Sequence, residues 1–166
     1  MITTKGNISR LREDLKCLND DLVSLFYEVF ILDRNIVYDP QFSGIMAVGV
    51  RKSILGNWEY YIIFSDRYFS EYKELRASIL KHEFYHVIYN HSVRMLNLMM
   101  EDRQYDRSSA EIAVDIVVNR KLLSWDYLNI DTRFVNRKSI SKLFGYNFWD
   151  DCRELTFEQI YYKIKS

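Results

Sequence analysis

Apolar positions recur with helical spacing in three stretches of this chain, and between the first and second of them stand two β-rich runs. From about residue 8 to residue 30, Leu11, Leu15, Leu18, Leu22, Leu25, Phe26 and Phe30 follow helical spacing and predict one buried stripe. That stripe is one helix, or two broken near Asn19-Asp20-Asp21. At Asp39-Pro40 the chain becomes extended or turns, because the residue before proline avoids the α region. Two β-rich runs follow, Gly44 to Val50 and Trp58 to Phe64, joined across Leu55-Gly56-Asn57, and they predict an antiparallel hairpin. Helical spacing returns from about Glu71 to Tyr89, with Tyr72, Leu75, Ile79, Leu80, Tyr85 and Ile88 available for burial. It returns again from about Ser109 to Leu123, with Ile112, Ala113, Ile116, Val117, Leu122 and Leu123 apolar. This order of elements predicts an α+β fold, and 166 residues suit one domain.

The polar positions on the third stretch carry the chemistry. All three histidines of the chain fall between His82 and His91, and His82-Glu83-Phe84-Tyr85-His86 spells His-Glu-x-x-His. Residues four apart on a helix are turned by only about 40°, so His82 and His86 stand one turn apart on one face and can reach a single ion. Glu83 is displaced around the helix from that pair, which suits a general base acting on water better than a ligand. A closed structural zinc site would need four protein ligands, often cysteines, and Cys17 and Cys152 have no C-x-x-C spacing.

A catalytic site needs a third protein ligand. If the helix ran on, His91 would point about 180° from His82, so it approaches the metal only if the chain turns near Asn90, a residue that tolerates the left-handed conformation. The next helix carries Glu111, Asp115 and Asn119 at i,i+4 spacing, a polar stripe on an apolar element. Asp115, between Val114 and Ile116, borders the core, where a carboxylate needs a partner or a metal. Asp115, His91 and Glu111 are therefore the candidates.

Composition narrows the setting. Lys+Arg and Asp+Glu both number 23, so the whole chain exerts no net pull toward nucleic acid or anionic membrane, although composition cannot show local clustering. The first residues lack an apolar export segment and no run reaches 18 apolar residues, so a cytoplasmic chain is expected, with no membrane partner. Two distant cysteines are read as buried thiols in a reducing compartment.

The order of motifs resembles a known family. It runs from Tyr38-Asp39-Pro40 through Gly44-Ile45-Met46-Ala47-Val48 and a second strand to His82-Glu83-Phe84-Tyr85-His86, then His91-Ser92-Val93-Arg94. Glu111 to Asn119 and Leu155 to Tyr161 follow. This is similar to the metallopeptidase domain that precedes a von Willebrand factor A-type domain in many bacterial and phage proteins. The resemblance covers about residues 36 to 165, beyond the N-terminal helical segment. It implies a zincin-like fold, a small mixed or antiparallel sheet on a motif-bearing helix with additional helices. It also implies Asp115 as third ligand by position. Asn90 stands where that family tends to have glycine, and Glu111 where it tends to have asparagine; Glu111 with Asp115 makes a Glu-x-x-x-Asp pattern like that of gluzincins.

The expected function is peptide-bond hydrolysis of a protein or peptide substrate. Zinc held by His82, His86 and the third ligand acts as Lewis acid, and Glu83 takes the proton from water and returns it to the leaving amine. Tyr89, Tyr105 and Arg94 are candidates for stabilising the oxyanion, Arg94 being read chiefly as an ion-pair partner of a carboxylate. The alternative is a non-catalytic, zinc-stabilised binding or inhibitor protein on the same fold. A DNA-associated protease is disfavoured by the neutral charge and the lack of a zinc ribbon.

Overall fold

The two β-rich runs pair to form the sheet. In the computed structural model, which describes residues 4–18, 33–122 and 126–166, β1 (Ile36–Tyr38), β2 (Met46–Lys52) and β3 (Trp58–Phe64) form one sheet in the order β1-β3-β2. β2 and β3 are the expected antiparallel hairpin, paired from Met46 with Phe64 to Lys52 with Trp58. β2 starts two residues later than the apolar run, because Gly44 turns its carbonyl to the Ser65 hydroxyl at 2.7 Å. β1 adds to the other edge of β3 in parallel, Ile36 opposite Ile62, so the sheet is mixed. Ile62 and Phe64 are fully buried, whereas Trp58, at the hairpin tip, is exposed. Gly56 takes φ 82° in the tip, a conformation open to glycine at little cost.

The chain divides into two compact units, Met1–Ser92 and Val93–Ser166. In the first, α1 (Thr4–Lys16) buries Asn7, Leu11 and Leu15 at i, i+4 and i+8, a single stripe. The predicted continuation over residues 19–32 lies outside the described residues. The Asp14 carboxylate fastens α1 to the elements beyond the sheet, accepting from the Tyr68 hydroxyl at 2.9 Å and from Arg76 Nε at 2.8 Å. Burial and the adjoining Asp14 charge together push the Tyr68 phenol far above its usual range. At Asp39 the carboxylate accepts the Gln41 amide at 2.8 Å, which is the turn expected before Pro40. Two helices follow β3: α2 (Asp66–Ser70), capped by the Ser65 side chain, and α3 (Lys73–Ile88), which lies against β2 and α1. Leu75, Ile79 and Leu80 are buried on α3 as expected. Tyr72 and Ile88 are exposed instead, since Tyr72 precedes the first turn and Ile88 stands in the last, away from the inward stripe.

α4 (His91–Glu101) leads into the second unit, which holds α5 (Arg107–Asn119), α6 (Tyr127–Ile130), α7 (Arg137–Phe144), α8 (Phe148–Asp151) and α9 (Phe157–Lys165). Its core is formed where α5 packs on α9, around Ala113, Ile116, Ile160 and Tyr161. α5 starts on an Asp106 cap that accepts the Ser109 amide at 2.8 Å. It ends at Asn119 rather than Leu123, because the Asn119 side chain turns inward to donate to the Val135 carbonyl at 2.6 Å. Both cysteines are free; Cys152 is buried, and burial pushes its thiol up, but Cys17 is exposed, contrary to the expectation of two buried thiols. It lies just past the end of α1, off the helix's inward stripe.

The protein is thus α+β, helices with a small three-stranded mixed sheet. Among the described residues no helix is long and apolar enough to cross a membrane.

Candidate metal centre

The motif occupies the last two turns of α3, whose inward stripe of Leu75, Ile79, Leu80 and Phe84 anchors the helix. Within the first unit, i,i+4 spacing delivers the two histidine rings to one point. Nε2 of His82 lies 2.8 Å from Nε2 of His86, with the rings edge to face and their centroids 4.5 Å apart. Two nitrogen lone pairs at that separation repel unless a proton or cation lies between them. Ligand nitrogens about 2.0–2.1 Å from a tetrahedral zinc are about 3.3 Å apart, so opening the pair by roughly half an ångström admits the ion. The donor chemistry fits a borderline cation that prefers imidazole.

Glu83 follows His82 in the motif and is buried, 7% exposed. α3 ends by a left-handed turn: Asn90 has φ 54°, and the Asn90 amide donates to the Val87 carbonyl at 2.9 Å. The Tyr60 hydroxyl on β3 donates to the Asn90 side-chain oxygen, tying the turn to the sheet, and burial pushes that hydroxyl's pKa up. The turn redirects His91, which is buried with its Nδ1 3.0 Å from Nδ1 of His86. His91 therefore meets the ring nitrogen of His86 that faces away from His82. Tyr60 escaped the reading from sequence. The one signal for it is that Tyr60, Ile62 and Phe64 alternate on one face of β3.

In the second unit the polar stripe of α5 runs through three environments. Glu111 is exposed and paired with Arg107 at 2.7 Å, Asp115 is half-buried, and Asn119 is buried. Arg94 forms a two-pronged pair with Glu158, at 2.9 and 2.6 Å, and lies over the Phe157 ring. Burial works to raise the Glu158 carboxyl, but the Arg94 bond and the helix-start amide outweigh it and hold its pKa below the usual range. Arg94 is thus the carboxylate partner expected, and its guanidinium is committed to that pair. Tyr105 packs on Tyr161, and burial raises its hydroxyl. In the first unit, Tyr89 stacks on Tyr85.

Two histidine nitrogens that converge, with a buried glutamate between them in the motif, are the groups that a metal site activating water requires. The chain belongs to the family described as "Putative metallopeptidase domain", whose model matches residues 61–166, from within β3 to the last residue and including the whole motif. No curated protein and no solved structure matches the chain.

Proposed function

We propose that this protein is a zinc-dependent peptidase of zincin-like fold, in which Glu83 is the general base. The convergence of the His82 and His86 Nε2 atoms at 2.8 Å, with Glu83 buried beside them, carries the reading. We assign Asp115 as the third ligand from its place in the family's order of motifs, on the helix that follows His82 and His86 in the chain. Zinc bound there would supply Lewis acidity toward the scissile carbonyl and lower the pKa of the attacking water. Glu83 accepts that water's proton and delivers it to the departing amine, so a single carboxylate serves as base and then as acid. Were His86 to hold the metal through Nε2, its Nδ1 would carry the proton and could donate to Nδ1 of His91, 3.0 Å away, which would orient the imidazole. Asp115 is favoured as third ligand over Glu111, whose carboxylate is taken by Arg107 at the surface.

Two measurements test the proposal together. Purified protein carries about one zinc per chain, and a His82→Ala/His86→Ala double variant loses it; equal metal in both ends the zinc reading. Glu83→Gln keeps the fold and the metal but abolishes peptide cleavage in a proteome-wide assay, because it removes the base and no ligand. Zinc without cleavage by either protein points instead to a binding or inhibitor protein on the same fold.

A further inference from the structure

The second unit contains a cavity of about 1160 Å³ flanked by the end of α5 and by α7 and α8. Six cations line it, Arg120, Lys121, Arg137, Lys138, Lys142 and Arg153, against the two carboxylates of Asp150 and Glu154. The neutral balance of the whole chain conceals this concentration. Asp150 is engaged by Arg137 through two bonds of 2.6 and 2.7 Å, with Arg153 3.6 Å away, and Arg120 donates to the Cys152 carbonyl. Lys121, Lys138 and Lys142 make no ion pair among the described residues.

α7 breaks two local rules at this cavity. Its first turn holds Arg137 and Lys138 and no acid, where the helix dipole disfavours cations. Lys138 and Lys142 are an i,i+4 pair of like charge, one turn apart and mutually repulsive. Arg137 is compensated by its pair with Asp150, but Lys138 and Lys142 have no such compensation among the described residues, so their charge is directed to the cavity. Beside these lysines, Tyr146 lines the cavity with 77% of its surface exposed, and the Trp149 ring forms part of the wall. A large exposed phenol lining the same cavity as lysines that are unpaired among the described residues offers an aromatic face for stacking and cations for phosphate.

We propose that this cavity binds a phosphate chain bearing an aromatic base, with Lys121, Lys138 and Lys142 meeting the phosphates and Tyr146 stacking on the base. A nucleoside triphosphate and a single-stranded nucleic acid both offer that chemistry. The proposal is independent of the zinc reading, and a Glu83→Gln protein should bind the ligand unchanged.

The test is fluorescence anisotropy of a labelled oligothymidylate with the full chain, over a range of salt concentrations. Three phosphate contacts predict a fall of log K with log salt of slope about −2, and Lys138→Gln/Lys142→Gln should flatten it by about 1.4. Lys73→Gln, outside the cavity, should change nothing. Lys138→Glu should weaken binding while raising the melting temperature, since it places an acid in the first turn and an i,i+4 Glu–Lys pair on α7; loss of binding with gain of stability separates recognition from misfolding. Tyr146→Ala should weaken the oligothymidylate on the order of tenfold and leave inorganic polyphosphate unaffected. Displacement by ATP at matched phosphate concentration identifies a free nucleotide as the ligand, and persistence of the complex identifies nucleic acid; either supports the site. Any of three results overturns it: no binding, lysine variants indistinguishable from Lys73→Gln, or polyphosphate or an acidic peptide binding as tightly as the oligothymidylate.

Discussion

Each histidine has a different environment, and from these environments different costs of removal follow. His82 and His86 present converging Nε2 atoms, whereas His91 touches the outer nitrogen of His86. A ligand lost from a three-residue set removes most of the affinity, but a residue that only orients a ligand typically costs about 10 to 100-fold. If Asp115 completes the set, competition titration with a zinc chelator should show Asp115→Ala binding far more weakly than His91→Ala. His91→Ala should fall in the 10 to 100-fold range, and Glu111→Ala, which breaks only the surface pair with Arg107, should bind as the native protein does. Zinc bonded to His91 or Glu111 in a metal-bound structure, with Asp115 beyond about 3 Å, would reject the assignment, since carboxylate ligands lie at about 2.0 to 2.2 Å.

At the scale of elements, the junction of α3 and α4 governs the centre. A continuous helix would carry His91 away from His82, and the left-handed Asn90 breaks it after one motif length. The side chain at 90 contributes twice, by accepting positive φ and by taking the Tyr60 hydrogen bond. Asn90→Ala should therefore lower unfolding stability by about 2–3 kcal/mol, combining roughly 1–2 kcal/mol of backbone strain with a lost hydrogen bond of about 1 kcal/mol. Asn90→Gly keeps the turn and loses only the bond, so it should be the milder change. Urea unfolding of the three proteins checks the order, and equal losses for alanine and glycine would show that backbone strain is not what the turn demands.

For the molecule as a whole, acid stability of the second unit is tied to Asp102 at the end of α4. The Lys165 ammonium at 2.6 Å, the Tyr161 hydroxyl at 2.5 Å and the Gln104 amide hold its carboxyl down at about 2. A carboxyl whose folded pKa lies below its unfolded value of about 3.9 stabilises the fold above that pH, and the contribution is lost as pH falls toward 2. Unfolding monitored from about pH 4 to pH 2 should show a steeper loss in the native protein than in Asp102→Asn, which has no such proton to take up. A parallel decline in both proteins would mean that other carboxylates govern the acid limb.

The sequence by itself determined what depends on neighbours a few residues apart. The hairpin followed from two β-rich runs joined by a short turn, the inward stripe of α3 from helical spacing, the pairing of His82 with His86 from i,i+4 geometry, and the turn at Asn90 from its tolerance of positive φ. Element ends were less legible, because tertiary partners set them: Asn119 stops α5 by bonding to Val135, sixteen residues on. Other features were decided only by the fold. β1 pairs in parallel with β3, Tyr60 reaches Asn90 across 30 residues, Arg94 chooses Glu158, and Glu111 turns out to Arg107 while Asp115 on the same helix is half-buried. The clustering of cations around one cavity belongs with these, hidden within a chain of zero net charge. The physical reason is common to all of them: local periodicity specifies which face of an element is apolar, but which polar group meets another is fixed by contacts between segments far apart in sequence, whose partners no spacing rule names.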